Sequence, residues 1–207
     1  MEFTNQDKIN YTLGGYFMKV ANMIILSRPL QALKYLYTHE DHLFNMKKHI
    51  YSKSLSSLLM FVLNSRSELL NKVGNAKKAK DFFAEFNDLR VRLLTALVTT
   101  CCESVGVRDQ LEIHLSSAII VNDAIQNVNL IADGEILIKK LFEDGTLIKL
   151  LFEKTDPEKS NNIGSIGQVL TNLINLVKNN PGKFDAIGKR KEINLNSGFG
   201  EEVFVMR

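Results

Sequence analysis

The chain has few of the residues that build disulfide frameworks, interrupt helices or cross membranes. Its two cysteines, Cys101 and Cys102, are adjacent, so a bond between them would be strained and no network of bridges can form. Only three prolines interrupt the 207 residues. The longest apolar run near the N-terminus, Met23 to Leu26, is far too short for a membrane span, and residues 1–10 lack the apolar region of a signal peptide. These absences predict a protein of the cytoplasm, with the nucleus as an alternative.

A large excess of charge of one sign is also missing. The 26 Lys and Arg residues only slightly outnumber the 23 Asp and Glu residues, which is not the charge density of a nucleic-acid-binding protein. With 45% hydrophobic residues the chain is too apolar to be disordered, and its length favours one domain with a continuous core. Folding needs neither a metal ion nor a disulfide.

The chain does contain helical periodicity from end to end. Apolar residues recur at spacings of three and four, whereas the alternation typical of strands is almost absent. The stripes are Leu13, Phe17, Val20 and Ile24; Leu55, Leu58, Leu59, Val62 and Leu63; Leu93, Leu94, Leu97, Val98 and Cys101; Ile113, Ile120, Val121, Ala124, Val128 and Ile131; and Ile163, Ile166, Leu170, Leu173, Ile174 and Val177. Each stripe predicts a helix with one buried face.

Shorter helices are predicted between these stripes. Pro29 favours the first turn of a helix that reaches about Thr38, and another follows over residues 40–50. Residues 135–143 and 146–154 predict two brief helices separated by Asp144 and Gly145. The helix ends predicted from the sequence are Ser52 or Ser54 as N-caps, Gly134 after the long fourth stripe, and residues 179–182 (NNPG) after the last.

Two segments do not fit a stack of helices. Residues 71–88 are rich in charge, which predicts a solvated helix surface. From Lys183 onward the chain is polar, and its few apolar residues around 193–195 and 203–205 predict a small hairpin or a tail. We therefore divide the chain into a helical region, 1–182, and a C-terminal tail, 183–207.

A weak internal echo favours a repeated architecture. Leu43 and Phe44 precede the Leu55 stripe much as Leu147 and Ile148 precede the Ile166 stripe, so a short helix comes before a longer one twice. Helical units of roughly 40 residues that cannot bury their faces alone form armadillo- and HEAT-like stacks. The predicted fold is therefore all-α, an α-solenoid of short and long helices.

Four short motifs could carry chemistry, and each has a simpler interpretation. His39 and His42 share a helix face and could bind a metal with His49 or His114, but their spacing is not HExxH, and a polar helix start is favoured. Gly164 to Gly167 lacks the GK[ST] ending of a phosphate loop, so close helix packing is favoured. Cys102 lies on a core stripe, which favours a structural role over that of a nucleophile. Residues 189–191 (KRK) are a nuclear-import signal, a phosphate contact or solvated charge.

Aromatic residues are concentrated near the N-terminal third of the chain. Tyrosine is favoured at interfaces, but the sequence does not separate packing between helices from contact with a partner. The set comprises Tyr11, Tyr16, Phe17, Tyr35, Tyr37 and Tyr51.

Several strings in order resemble the SAPS family, the regulatory subunits of protein phosphatase 6-type serine/threonine phosphatases. They are residues 11–20 (YTLGGYFMKV), 27–30 (SRPL) with Leu36, 48–54 (KHIYSKS), 114–118 (HLSSA) leading to Ile125, and 170–180 (LTNLINLVKNN) followed by Phe184 and Asp185. The resemblance covers about residues 10–186. It implies an armadillo/HEAT-like helical domain that binds a phosphatase catalytic subunit and directs it to substrates.

The resemblance assigns no catalytic, cofactor-binding or metal-binding residue to this chain, and the partner-binding residues stay unknown. Family members are normally longer, and apart from Phe184 and Asp185 the tail over residues 183–207 has no counterpart in them. A bare internal segment of a solenoid would expose apolar faces. We therefore expect a non-catalytic scaffold for a phosphatase, with no membrane partner. The alternative is an unrelated α-solenoid adaptor for another protein or for nucleic acid, and a metal-dependent enzyme at His39 and His42 is a weaker third hypothesis.

Overall fold

The computed structural model describes residues 9–65, 76–103, 108–156 and 162–184. Within these ranges there are nine α-helices and no β-strand, so the all-α prediction is confirmed. The helices are α1 (Tyr11–Ser27), α2 (Pro29–Thr38), α3 (Glu40–Lys47), α4 (Lys53–Leu63), α5 (Ala76–Cys102), α6 (Arg108–Gln126), α7 (Gly134–Leu141), α8 (Thr146–Glu153) and α9 (Ile163–Asn179).

The helices pack in a regular order. α1 packs on α4, α4 on α6, and α6 on α9, so these four helices follow one another through the molecule. α2 and α3 pack on each other and on α5, which also contacts α7 and α8. On either side of α5 the chain forms a long helix, two shorter helices and another long helix: α1 to α4, and then α6 to α9. In each series the last two helices are a short one followed by a longer one, α3 and α4 and then α8 and α9, and these pairs correspond to the predicted echo.

Local signals explain some of the helix ends. The Asn10 side chain accepts hydrogen bonds from the backbone N–H groups of Thr12 and Leu13 at 2.9 and 3.3 Å, which caps α1. Pro29 opens α2 as predicted. Gly145, between α7 and α8, has a φ of 75°, a conformation that glycine adopts without strain. Ser52 precedes α4, but its side chain makes no capping hydrogen bond.

The fourth stripe does not form one helix up to Gly134. α6 ends at Gln126, and a chain of turns follows before α7 begins at Gly134. The Asn127 side chain donates to the Asp123 carboxylate at 2.9 Å, which is the kind of local bond that competes with helix continuation. Val128 and Ile131 are nevertheless buried, because the turns remain packed on the core.

The charged segment 71–88 was wrongly set apart from the helical core. Residues 71–75 lie outside the described part of the chain, but α5 begins at Ala76 and runs unbroken to Cys102. Phe82, Phe83 and Phe86 are buried in the same core as the predicted leucine stripes. The charged residues between positions 77 and 88 are exposed as predicted, so the helix is amphipathic and its aromatic side faces inward.

The first stripe is the clearest wrong prediction. The stripes of α4 and the second half of α5 are buried as predicted. Leu13, Val20 and Ile24 in α1 are instead exposed, and Phe17 is half-buried. The buried residues of α1 are Gly14 and Ile25. The predicted buried face is therefore largely the solvent face.

Ordered packing continues past the boundary placed at residue 182. Phe184 is buried, and Lys139 of α7 lies over its ring with the ammonium nitrogen 5.7 Å from the centroid. Lys183 pairs with Glu135 at 2.7 Å. The rest of the predicted tail or hairpin, residues 185–207, lies outside the described residues and includes the basic cluster 189–191.

Candidate interaction surface

An exposed apolar strip runs along the outer side of α1. Seven of the fourteen large hydrophobic residues that are exposed in the described ranges belong to this helix. Leu13, Tyr16, Val20 and Met23 follow at spacings of three or four, which places them on one side of the helix, and they are 53, 62, 50 and 63% exposed. Together with Ile24 they form what we call the α1 outer face.

The opposite side of α1 lies close to the start of α4. A Cβ atom on Gly14 would lie 3.4 Å from Ser52 Oγ, and one on Gly15 would lie 3.9 Å from Ser54 Oγ. Both are ordinary van der Waals distances, so the side of α1 that carries the two glycines is the side that packs on α4. In the described part of the chain, the α1 outer face stays exposed.

Positive charge accompanies the α1 outer face. From residue 9 to residue 39 the sequence contains Lys19, Arg28 and Lys34 but no Asp or Glu. All three cations are exposed. Lys19 Nζ lies 6.0 Å from the centroid of the Tyr16 ring, a distance at which an ammonium group is attracted to an aromatic face. The surface is thus apolar along its length with a cation at its edge.

A smaller apolar strip lies on α6. Leu111, Leu115 and Ile119 are spaced by four residues and are exposed. Its charge surroundings differ from those of α1. Residues 108–156 contain nine Asp or Glu and five Lys or Arg, whereas residues 9–65 contain two Asp or Glu and six Lys or Arg. The two strips therefore differ in both extent and charge.

The rings of Tyr35, His39 and His42 form a row at the junction of α2 and α3. The two imidazoles are nearly parallel with centroids 5.6 Å apart, and the Tyr35 ring lies 4.4 Å from that of His39. Partial burial, and then nearby positive charge that includes His39, lowers the pKa of His42. In the described ranges no group of three or more His, Cys, Asp or Glu side chains could hold a metal ion. The proposed further ligands, His49 and His114, do not join this row.

Both cysteines are buried in the last turn of α5, which confirms their interpretation as core residues. The Cys101 thiol donates to the backbone oxygen of His114 across the contact between α5 and α6, with Sγ and O 3.8 Å apart. Burial raises the pKa of both thiols, that of Cys102 to about 11. A thiol that keeps its proton at neutral pH is a poor nucleophile. Burial also lowers the pKa of His114 and disfavours its protonation.

A buried arginine that the sequence analysis did not identify joins three parts of the fold. The Arg90 guanidinium donates from Nε and Nη2 to the backbone oxygen of Leu63 at the end of α4, at 3.0 and 2.8 Å. Its Nη1 donates to the backbone oxygen of Ala132 at 2.9 Å and to Asn87 Oδ1 at 3.1 Å. The Phe83 ring covers the group, with Arg90 Cζ 5.2 Å from the centroid. Its role is structural, because every one of these donors is used inside the protein.

The glycines at the start of α9 do not mediate close helix packing. A Cβ atom on Gly164 or Gly167 would meet nothing within 4 Å. The prediction of close packing through small residues is therefore wrong here. Gly134 instead lies close to the turn that precedes α7, because a Cβ there would lie 2.1 Å from the backbone oxygen of Val128.

The predicted stripe of α1 omits two residues of the α1 outer face. Met23 was not singled out in the sequence, and Tyr16 was named only among the aromatic residues that could either pack between helices or contact a partner. The available signal was the pair Gly14 and Gly15, since adjacent small residues inside an apolar helix indicate the side on which another helix approaches.

None of the helices that the structure describes is long and apolar enough to cross a membrane.

The family-like strings fall on distinct parts of the fold. Residues 11–20 form the first half of α1 and 27–30 its junction with α2. Residues 48–54 connect α3 to α4, with His49 and Ser52 buried, and residues 114–118 lie in α6 with His114 buried. Residues 170–180 form the second half of α9 and the residue that follows its end.

Comparisons with protein-family models, with curated proteins and with solved structures returned no match to this chain.

Proposed function

We propose that the protein is a non-catalytic scaffold that binds the catalytic subunit of a serine/threonine protein phosphatase of the protein phosphatase 6 type and directs its activity. The observation that carries the proposal is the α1 outer face. Soluble proteins rarely expose contiguous large apolar side chains unless another molecule covers them. The string over residues 11–20 that resembles the SAPS family lies on this helix. The exposed surface and part of the resemblance are therefore in the same helix.

The packing order of the helices supports a solenoid as the architecture of this scaffold. Long helices α1, α4, α6 and α9 follow one another, and the shorter helices pack beside them. Stacks of this kind present extended surfaces and leave an apolar face where a stack is not capped. Among the described helices α1 lies at one end of this order, and the α1 outer face is the apolar surface that it presents there.

Co-purification with a phosphatase catalytic subunit tests the function. The full chain, expressed with an affinity tag in cells of its source, should recover the catalytic subunit at near-stoichiometric level. Val20→Glu should abolish the recovery, because it places a charge in the middle of the α1 outer face. Ile119→Glu is the matched control, since Ile119 is 58% exposed on the separate α6 strip. Recovery of no phosphatase under gentle conditions would contradict the proposal.

The second candidate function is an α-solenoid adaptor unrelated to phosphatases, for another protein or for nucleic acid. The excess of Lys and Arg over residues 9–65, together with the basic run 189–191, favours a polyanion as its ligand. Salt-sensitive binding to RNA or DNA that is lost on replacing Lys189, Arg190 and Lys191 by alanine would support this candidate. Binding that is independent of salt would count against it.

A further inference from the structure

The apolar residues of the α1 outer face have the spacing that is found where two helices pack along each other. Leu13, Tyr16, Val20 and Met23 are separated by three, four and three residues. Apolar residues at alternating spacings of three and four form the seam along which two helices pack with their side chains interleaved. Since α1 is helical throughout this stretch and the side chains are exposed, the surface matches the apolar ridge of one additional helix.

The charges around the seam indicate which kind of helix it accepts. Lys19 stands at the edge beside Tyr16, Arg28 and Lys34 follow along the chain, and no acidic residue occurs between residues 9 and 39. In paired helices the residues that flank the apolar seam meet across the interface, and opposite charges there favour pairing. A helix with Asp or Glu beside its apolar stripe is therefore the complementary partner.

Two other occupants fit these observations less well. Pairing of two copies through the α1 outer face would bring cations from both chains to an interface to which neither segment contributes an acidic residue. An anionic membrane attracts surfaces with about 1 kcal/mol for each Lys or Arg near it, and stable attachment generally needs clusters of four or more. The three cations between residues 9 and 39 fall short of that.

We propose that the α1 outer face is the docking site for a single amphipathic helix of a partner protein, whose apolar stripe is flanked by acidic residues. The inference rests on the proposed function, since it names the chemistry of the partner segment that occupies the same surface. The partner helix lies along α1 with its apolar side chains between Leu13, Tyr16, Val20 and Met23, and its acidic residues face Lys19.

A phage-displayed library of helical peptides, selected on the full-length chain, tests the proposal. The enriched peptides should carry apolar residues at spacings of three and four and an excess of Asp and Glu beside them. Their Kd, measured by fluorescence anisotropy, should weaken about tenfold in Val20→Glu, equivalent to roughly 1.4 kcal/mol. Ile119→Glu should leave the Kd unchanged.

The charge contact has its own readout. Lys19→Glu should raise the Kd of the acidic peptides roughly threefold, as expected for the loss of an exposed ion pair. A peptide with lysine in place of the flanking acidic residues should bind Lys19→Glu without this loss of affinity. Met23→Ala, a milder truncation, should weaken binding without introducing a charge. Circular dichroism and thermal unfolding of each variant establish that α1 remains folded.

Several outcomes would overturn the proposal. Enriched peptides without helical spacing, an excess of basic residues, or binding that is indifferent to Val20→Glu would each do so. Sedimentation of the chain with phosphatidylserine vesicles, abolished by Val20→Glu, would assign the face to a membrane. A dimer in light scattering that Val20→Glu dissociates would assign it to a second copy. If a phosphatase co-purifies while the helix selection fails, the proposed function stands and this inference falls.

Discussion

Arg90 is the residue that most constrains the middle of the fold. Its guanidinium is buried without a carboxylate among its hydrogen-bond acceptors, which are two backbone oxygens and the side chain of Asn87. Asn87 in turn donates to the Asp133 carboxylate at 2.9 Å. A buried cation is tolerated only when its donors are satisfied, so the network holds the end of α4, helix α5 and the turn before α7 in one arrangement.

Replacing Arg90 by lysine should therefore be strongly destabilising. Lysine carries the charge but not the planar set of donors that reaches Leu63 and Ala132 together. The expected loss is roughly 3 kcal/mol in the free energy of unfolding, because a buried charge is left partly unpaired. Urea denaturation measures it. Arg92→Lys is the control, since Arg92 forms an exposed ion pair with Glu40 and should change stability by less than about 1 kcal/mol. Equal losses in both variants would contradict this role of Arg90.

Two helical glycines, Gly134 in α7 and Gly167 in α9, have opposite surroundings. Gly167 lies within α9 and a Cβ atom there would meet open space, whereas Gly134 begins α7 against the backbone of the preceding turn. A glycine inside a helix costs stability relative to alanine, because it loses more backbone freedom on folding. The same substitution should thus have opposite effects in the two helices.

Gly167→Ala should raise the free energy of unfolding by about 0.5–1 kcal/mol. Gly134→Ala should lower it by about 1–3 kcal/mol, because the new methyl group would collide with the backbone oxygen of Val128. Thermal unfolding of the two variants beside the parent chain checks both signs. Stabilisation by Gly134→Ala would show that the turn before α7 is free to move.

At the scale of the whole molecule, α5 is the central element. It packs against α2, α3 and α4 on the N-terminal side and against α6 to α9 on the C-terminal side. α1 has its principal contacts with α2 and α4 and exposes half or more of each side chain of its seam. Helices with few buried contacts open locally at lower free energy than central ones.

Hydrogen exchange should therefore rank the helices. Backbone amides in the second half of α5 should exchange most slowly, close to the global unfolding limit, and those of α1 should exchange faster although they are hydrogen-bonded in a helix. Mass spectrometry of peptic fragments measures this difference. Binding of a partner helix to the α1 outer face should slow exchange in α1 selectively. Equal protection of α1 and α5 in the free chain would contradict the prediction.

The sequence by itself determined the helices of this protein. The apolar spacings of α4, α5 and α9, Pro29 at the start of α2 and Gly145 between α7 and α8 are local signals of helices and of some of their ends. The burial of Cys101 and Cys102 also followed, because they continue a stripe of leucines in α5.

Only the tertiary structure decided which face of α1 is buried. Eleven of the seventeen residues of α1 are apolar or aromatic and one is charged, so periodicity marks no single inner side. α1 packs on α4 through the side that carries Gly14, where an added Cβ would lie 3.4 Å from Ser52 Oγ, 38 positions away in the chain. Arg90 lies on the apolar side of α5, with Phe86 four residues before it and Leu94 four residues after it. Its acceptors, 27 and 42 residues away, come within reach only after folding. The α1 outer face is likewise a consequence of packing, because exposure depends on what the rest of the chain leaves uncovered.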